Sequence, residues 1–140
     1  MNPYLAYRNQ DQPSGWTRID VLLALYDGAL ERMDKASAAL AANDRPAALP
    51  LLAKAQLIVS ELAAGVRLDV DEKMGINMLR LYEFVTYELS LATPEHIGNA
   101  RKIMVTLREG FEAIRPQAIE MERTGQVVAA DSLRMFHAMA

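Results

Sequence analysis

The feature that most constrains this chain is its periodicity. Four successive segments repeat apolar residues at intervals of three and four, and none alternates with the period of two that a half-buried strand requires. The first segment opens at TRID, where Thr17 stands as N-cap and Asp20, three residues on, completes a capping box with Asp in the usual Glu place. From there Ile19, Leu22, Leu23, Tyr26, Ala29, Leu30, Met33, Ser37 and Leu40 form one broad stripe. Asp20, Asp27, Glu31 and Asp34 gather on the opposite side and read as a solvated acidic face. The turn signal ANDRP ends this helix near residue 43.

The second helix starts at Asp44 as N-cap, with Pro46 in its first turn. Pro50 leaves two readings open, a kink there or a later start. It runs through LLAKAQLIVSELAAG and stops at Gly65, and the loop VRLDVDEKMG follows. The third helix covers about Met74 to Ala92. At TPEH, Thr93 caps the fourth helix, Pro94 takes its first position and Glu95 complements its dipole. That helix runs to Arg115, or past Pro116 with a kink to Glu122, before Thr124-Gly125 breaks it. In the last residues, Leu133, Phe136 and Met139 share the spacing of a short terminal helix. The expected fold is all-α, an antiparallel four-helix bundle over 17–122, with an N-terminal tail over 1–16 and an extension over 123–140.

Two helices carry more apolar surface than a bundle needs. On the second, Leu51, Leu52, Ala55, Ile58, Val59 and Leu62 supply a core stripe, yet Leu49, Ala53, Leu57 and Ala64 lie nearly opposite. On the third, Met78, Leu79, Tyr82, Val85 and Leu89 form one stripe, and Ile76, Phe84, Tyr87 and Leu91 form a second. No helix of a four-helix bundle is central. The second faces are therefore either buried by a non-ideal bundle or covered by the tail, another subunit or a client. Eight methionines suit surfaces that accept different partners, and suit cores equally.

Composition excludes several functions. At 140 residues the chain is one domain, and a net charge of -3 argues against a nucleic-acid or anionic-membrane partner. Without cysteine there are no disulfides, thiolate catalysis or thiolate zinc sites, in keeping with a cytoplasmic protein. The first residues lack the regions of a signal peptide, and no run of eighteen apolar residues argues for membrane insertion. No Glu-x-x-His pair suggests a di-iron bundle. The run from Asp69 to Gly75 misses a calcium loop, its glycine being one place late and Arg80 standing where the closing Glu belongs. His96, in the first turn of the fourth helix, reads as an exposed polar residue. No catalytic residue, cofactor or metal is expected, and the chain reads as a non-enzyme.

Several stretches together resemble the FliS-type flagellin export chaperones. They are the tail NPYLAYRNQ, LLALYDGAL in the first helix, KAQLIVSEL in the second, LD before the third, MLRLYEFV within it and LREGF in the fourth. They occur in family order over roughly residues 2 to 115. WTRID replaces the family's Ser-Pro-x-Glu-like entry to the first helix, and Gly110-Phe111 stands where Ala or Thr and then Trp are usual. The extension past residue 122 has no counterpart in the family pattern.

The resemblance implies a chaperone that binds the disordered C-terminal segment of flagellin, prevents early polymerisation and helps deliver it to the type III export gate. It gives Leu49, Leu57, Ile76, Phe84, Tyr87 and Leu91 a role facing that client. Tyr4 and Tyr7 become a displaceable cover on the same surface, in a monomer or weak homodimer. The alternative is a self-assembling helical protein whose surplus faces pair with one another.

Overall fold

A computed structural model describes residues 17–125. Among them are four helices: α1 (Arg18–Ala41), α2 (Arg45–Ala64), α3 (Glu72–Ser90) and α4 (Pro94–Arg123). α1 packs against α2 and α4, and α3 closes the ring by packing against both α2 and α4. This is the antiparallel bundle that the periodicity predicts. The tail with Tyr4 and Tyr7, and the proposed terminal helix at Leu133, Phe136 and Met139, lie outside the described residues.

Local chemistry explains each boundary. The Asp20 carboxylate accepts from the Thr17 backbone N–H at 3.1 Å and from its hydroxyl at 3.0 Å, fixing the start of α1. α1 ends where Asn43 takes a left-handed φ of 58°. There Asn43 N–H reaches the Leu40 carbonyl and Asp44 N–H the Ala39 carbonyl, the pair of bonds of a Schellman turn. Asp44 then caps α2 by accepting from Ala47 N–H at 3.2 Å. The helix continues unbroken through Pro50, whose missing N–H forfeits only one bond within the opening turns.

α3 starts two residues before the expected Met74. Asp71 accepts from Met74 N–H at 3.0 Å, so a residue assigned to the loop is in fact the cap, with Glu72 in the first turn. Thr93 caps α4 through His96 N–H at 3.2 Å. α4 passes through Pro116 to Arg123, and Gly125, at φ 81°, follows its end.

The core holds Tyr26, Tyr82 and Phe111. The Tyr26 and Tyr82 hydroxyls lie 2.6 Å apart, a buried hydrogen bond joining α1 to α3 across the bundle. The Tyr26 and Phe111 rings meet at 5.8 Å between centroids with a 41° tilt, tying in α4.

Two expectations need correction. The acidic row of α1 is not simply solvated. Asp20, Asp27 and Asp34, seven residues apart, pair with Arg115, Arg108 and Arg101 of α4 at 2.8, 2.5 and 2.8 Å. Equal spacing on two antiparallel helices brings all three pairs into register at once, and Glu31 pairs with Lys35 one turn on. Burial would raise the Asp20 carboxyl, but the hydrogen bonds from Arg115 and Thr17 outweigh it and hold the group below the ordinary aspartate range.

His96 is not an exposed residue either. It is half-buried, and its Nδ1 is paired with Glu88, the one buried charged residue among those described. α4 starts where α3 ends, so its first turn folds back onto the last turn of α3.

Candidate functional site

α2 is long and apolar enough to cross a membrane by length and composition alone, yet only 33% of that stretch is buried in the bundle. The surplus lies outward, and part of it borders a groove. Between α2 and α3 runs a cleft of about 480 Å³, lined from α2 by Gln56, Val59, Ser60 and Ala63. From α3 it is lined by Leu79, Tyr82, Glu83, Thr86, Tyr87 and Ser90. Positions spaced by three, four and seven residues put each set on one side of its helix. The two helices are joined across the groove by the Gln56 side-chain amide, which donates to the Thr86 carbonyl at 3.0 Å.

The groove is mostly uncharged. Tyr82 turns its hydroxyl inward to Tyr26, and burial pushes its ionisation up to about 12, so it presents a neutral ring face. Burial likewise holds Tyr26 well above the ordinary tyrosine range. The Ser90 hydroxyl donates to the Tyr87 carbonyl of its own helix. Glu83 is the single carboxylate in the lining. Among the described residues no group of His, Cys, Asp or Glu is placed to hold a metal ion.

The six apolar residues singled out from the sequence fall into two sets. Tyr87, 60% exposed, lines the groove. Ile76, half-buried, lies on the same side of α3, eleven residues before it, and Leu49, 45% exposed, lies on the Gln56 side of α2, seven residues before it. Leu57, Phe84 and Leu91 instead sit on the outward crests of α2 and α3. Leu57 and Phe84 are exposed and Leu91 is half-buried. The surface is thus a groove flanked by two apolar crests.

Two further leucines are exposed without periodicity marking them as such. Leu68 lies in the loop between α2 and α3, where no periodicity exists to mark it. It packs over the start of α3, where a Cβ on Gly75 would come within 2.7 Å of its side chain. Leu81 falls between the two apolar stripes of α3. It lies seven residues before Glu88, which meets α4 through His96, and so flanks the α3–α4 seam.

A profile of the family described as flagellar protein FliS matches residues 1–118. No curated protein and no solved structure matches the chain. The profile spans α1, α2, α3 and most of α4, including both walls of the groove, and it starts with the tyrosine-bearing tail. The chain belongs to the FliS family of flagellar chaperones.

Proposed function

We propose that this protein is a cytoplasmic export chaperone for flagellin. It holds the C-terminal segment of flagellin, which is disordered alone and helical when packed, and so prevents premature polymerisation. It then helps deliver flagellin to the type III export gate. The observation that carries this reading is the groove between α2 and α3 with exposed Leu49, Leu57, Phe84 and Tyr87 around it. An amphipathic helix docks by laying its apolar face into such a groove.

Family membership supports the chaperone role, and the geometry suggests where the client lies. Leu49, Ile76 and Tyr87 line its path along the groove, and Leu57, Phe84 and Leu91 extend the contact over the crests. A client that wraps both surfaces loses ordering entropy as it binds, which keeps the complex reversible. Tyr4 and Tyr7 act as a tethered cover. At an effective concentration of about millimolar, a weak tail shields the groove without excluding a tight client.

Co-purification with flagellin, with and without its C-terminal segment, tests this reading. Retention that depends on the segment supports it. Light scattering that finds a tight oligomer, indifferent to the segment, favours self-assembly through the same faces instead.

A further inference from the structure

The polar groups of the groove set a condition on whatever fills it. Tyr82 directs its hydroxyl to Tyr26, Gln56 uses its amide on the Thr86 carbonyl, and Ser90 donates to the Tyr87 carbonyl. These donors already have partners, and the other hydroxyl-bearing residues of the lining, Ser60 and Thr86, are neutral. Glu83 is different. It lines the groove as its only carboxylate, and among the described residues it makes no ion pair. Arg80, one turn back on the same helix, is not paired with it.

In the open groove water solvates this charge. A helix packed over Val59, Ala63, Leu79 and Tyr82 would remove that water, and a carboxylate stripped of water without a counter-charge is strongly unfavourable. An uncharged apolar helix therefore cannot fill this part of the groove well. A helix with a lysine or arginine on its apolar side can, because the cation replaces the lost solvation and the long aliphatic stem lies on the apolar floor.

We propose that Glu83 is a specificity-determining residue, selecting a client helix that presents a basic residue within its groove-facing stripe. The inference rests on the flagellin reading and sharpens it. Hydrophobic burial supplies affinity, while Glu83 sets the register and rejects apolar helices that lack the cation.

The test is titration of the full chain with the flagellin C-terminal segment, comparing wild type with Glu83→Gln and Glu83→Lys. Because Glu83 is exposed, the variants keep the wild-type circular dichroism and melting curve. Glu83→Lys is expected to weaken binding by more than about tenfold, and Glu83→Gln by less, with a shallower dependence on salt. Replacing each lysine and arginine of the segment in turn by glutamate should yield one variant that binds Glu83→Lys better than wild type. Equal affinity of all three chains for the segment, or a series in which no glutamate variant restores binding, overturns the inference alone. A wild-type chain that does not bind the segment overturns the flagellin reading and this inference with it.

Discussion

Replacing Tyr82 with phenylalanine removes one oxygen from the middle of the bundle and leaves the Tyr26 hydroxyl, 2.6 Å away, buried without its partner. A buried polar group so orphaned costs about 1–3 kcal/mol, and Tyr26→Phe orphans Tyr82 by the same logic. The double variant leaves no orphan and should lose no more than about 1 kcal/mol. Urea unfolding of the four chains then shows strong non-additivity, the double variant being at least as stable as the weaker single one. The pair also predicts an alkaline limb. Both hydroxyls hold their protons more tightly in the folded chain than in the unfolded one, where tyrosine titrates near 10. The contribution of Tyr82 is therefore complete below pH 10 and is lost as pH rises from there toward about 12, and that of Tyr26 is likewise lost as pH rises above 10. Each tyrosine contributes a slope of roughly 1.4 kcal/mol per pH unit in that window. The double variant should lack this limb. Additive single effects, or an unchanged alkaline limb in the double variant, would refute the reasoning.

Tyr87→Ala and Phe84→Ala should change unfolding free energy by less than about 0.5 kcal/mol, because both side chains are exposed. Each should nonetheless weaken binding of the flagellin segment about tenfold by calorimetry, as truncation of an aromatic anchor does. Arg108→Asp places two carboxylates together on the α1–α4 seam and should cost about 1 kcal/mol, with Asp27→Arg added to it restoring most of the loss. The difference measured at low salt should shrink in concentrated sodium chloride. Deleting residues 1–12 should raise binding of a hydrophobic dye and alter affinity for the segment. Unchanged dye binding and affinity would remove Tyr4 and Tyr7 from the account.

How much of this was legible in the sequence depended on whether the signal was local. Thr17, Asp44 and Thr93 announced their caps because a cap and the residue three places on interact within one turn. Asp71 did not, since DVDEKMG offers several acids and only the folded chain shows which carboxylate meets Met74 N–H. The acidic row of α1 was visible, and so was the seven-residue spacing of Arg101, Arg108 and Arg115. Their pairing required knowing that α1 and α4 are antiparallel neighbours in one particular register. Periodicity places Leu49, Leu57, Phe84 and Tyr87 opposite a core stripe but leaves open whether a non-ideal bundle buries them, and only the folded chain shows all four exposed. Leu81 lies between two stripes, where periodicity does not decide, and Leu68 lies in a loop, where periodicity does not exist. Nothing in the sequence sets Glu83 apart from the other acids, because its place as the single carboxylate of the α2–α3 groove depends on how the two helices pack.

The central claim is that the α2–α3 groove and its crests hold the flagellin C-terminal segment. The most direct test is an NMR titration of the isotope-labelled full chain with that segment. The account predicts saturable shifts concentrated at Leu49, Gln56, Ile76, Phe84 and Tyr87, with the α1–α4 ladder residues Asp27 and Arg108 largely unmoved. Saturable shifts centred on the ladder, or no shifts at all, would contradict it.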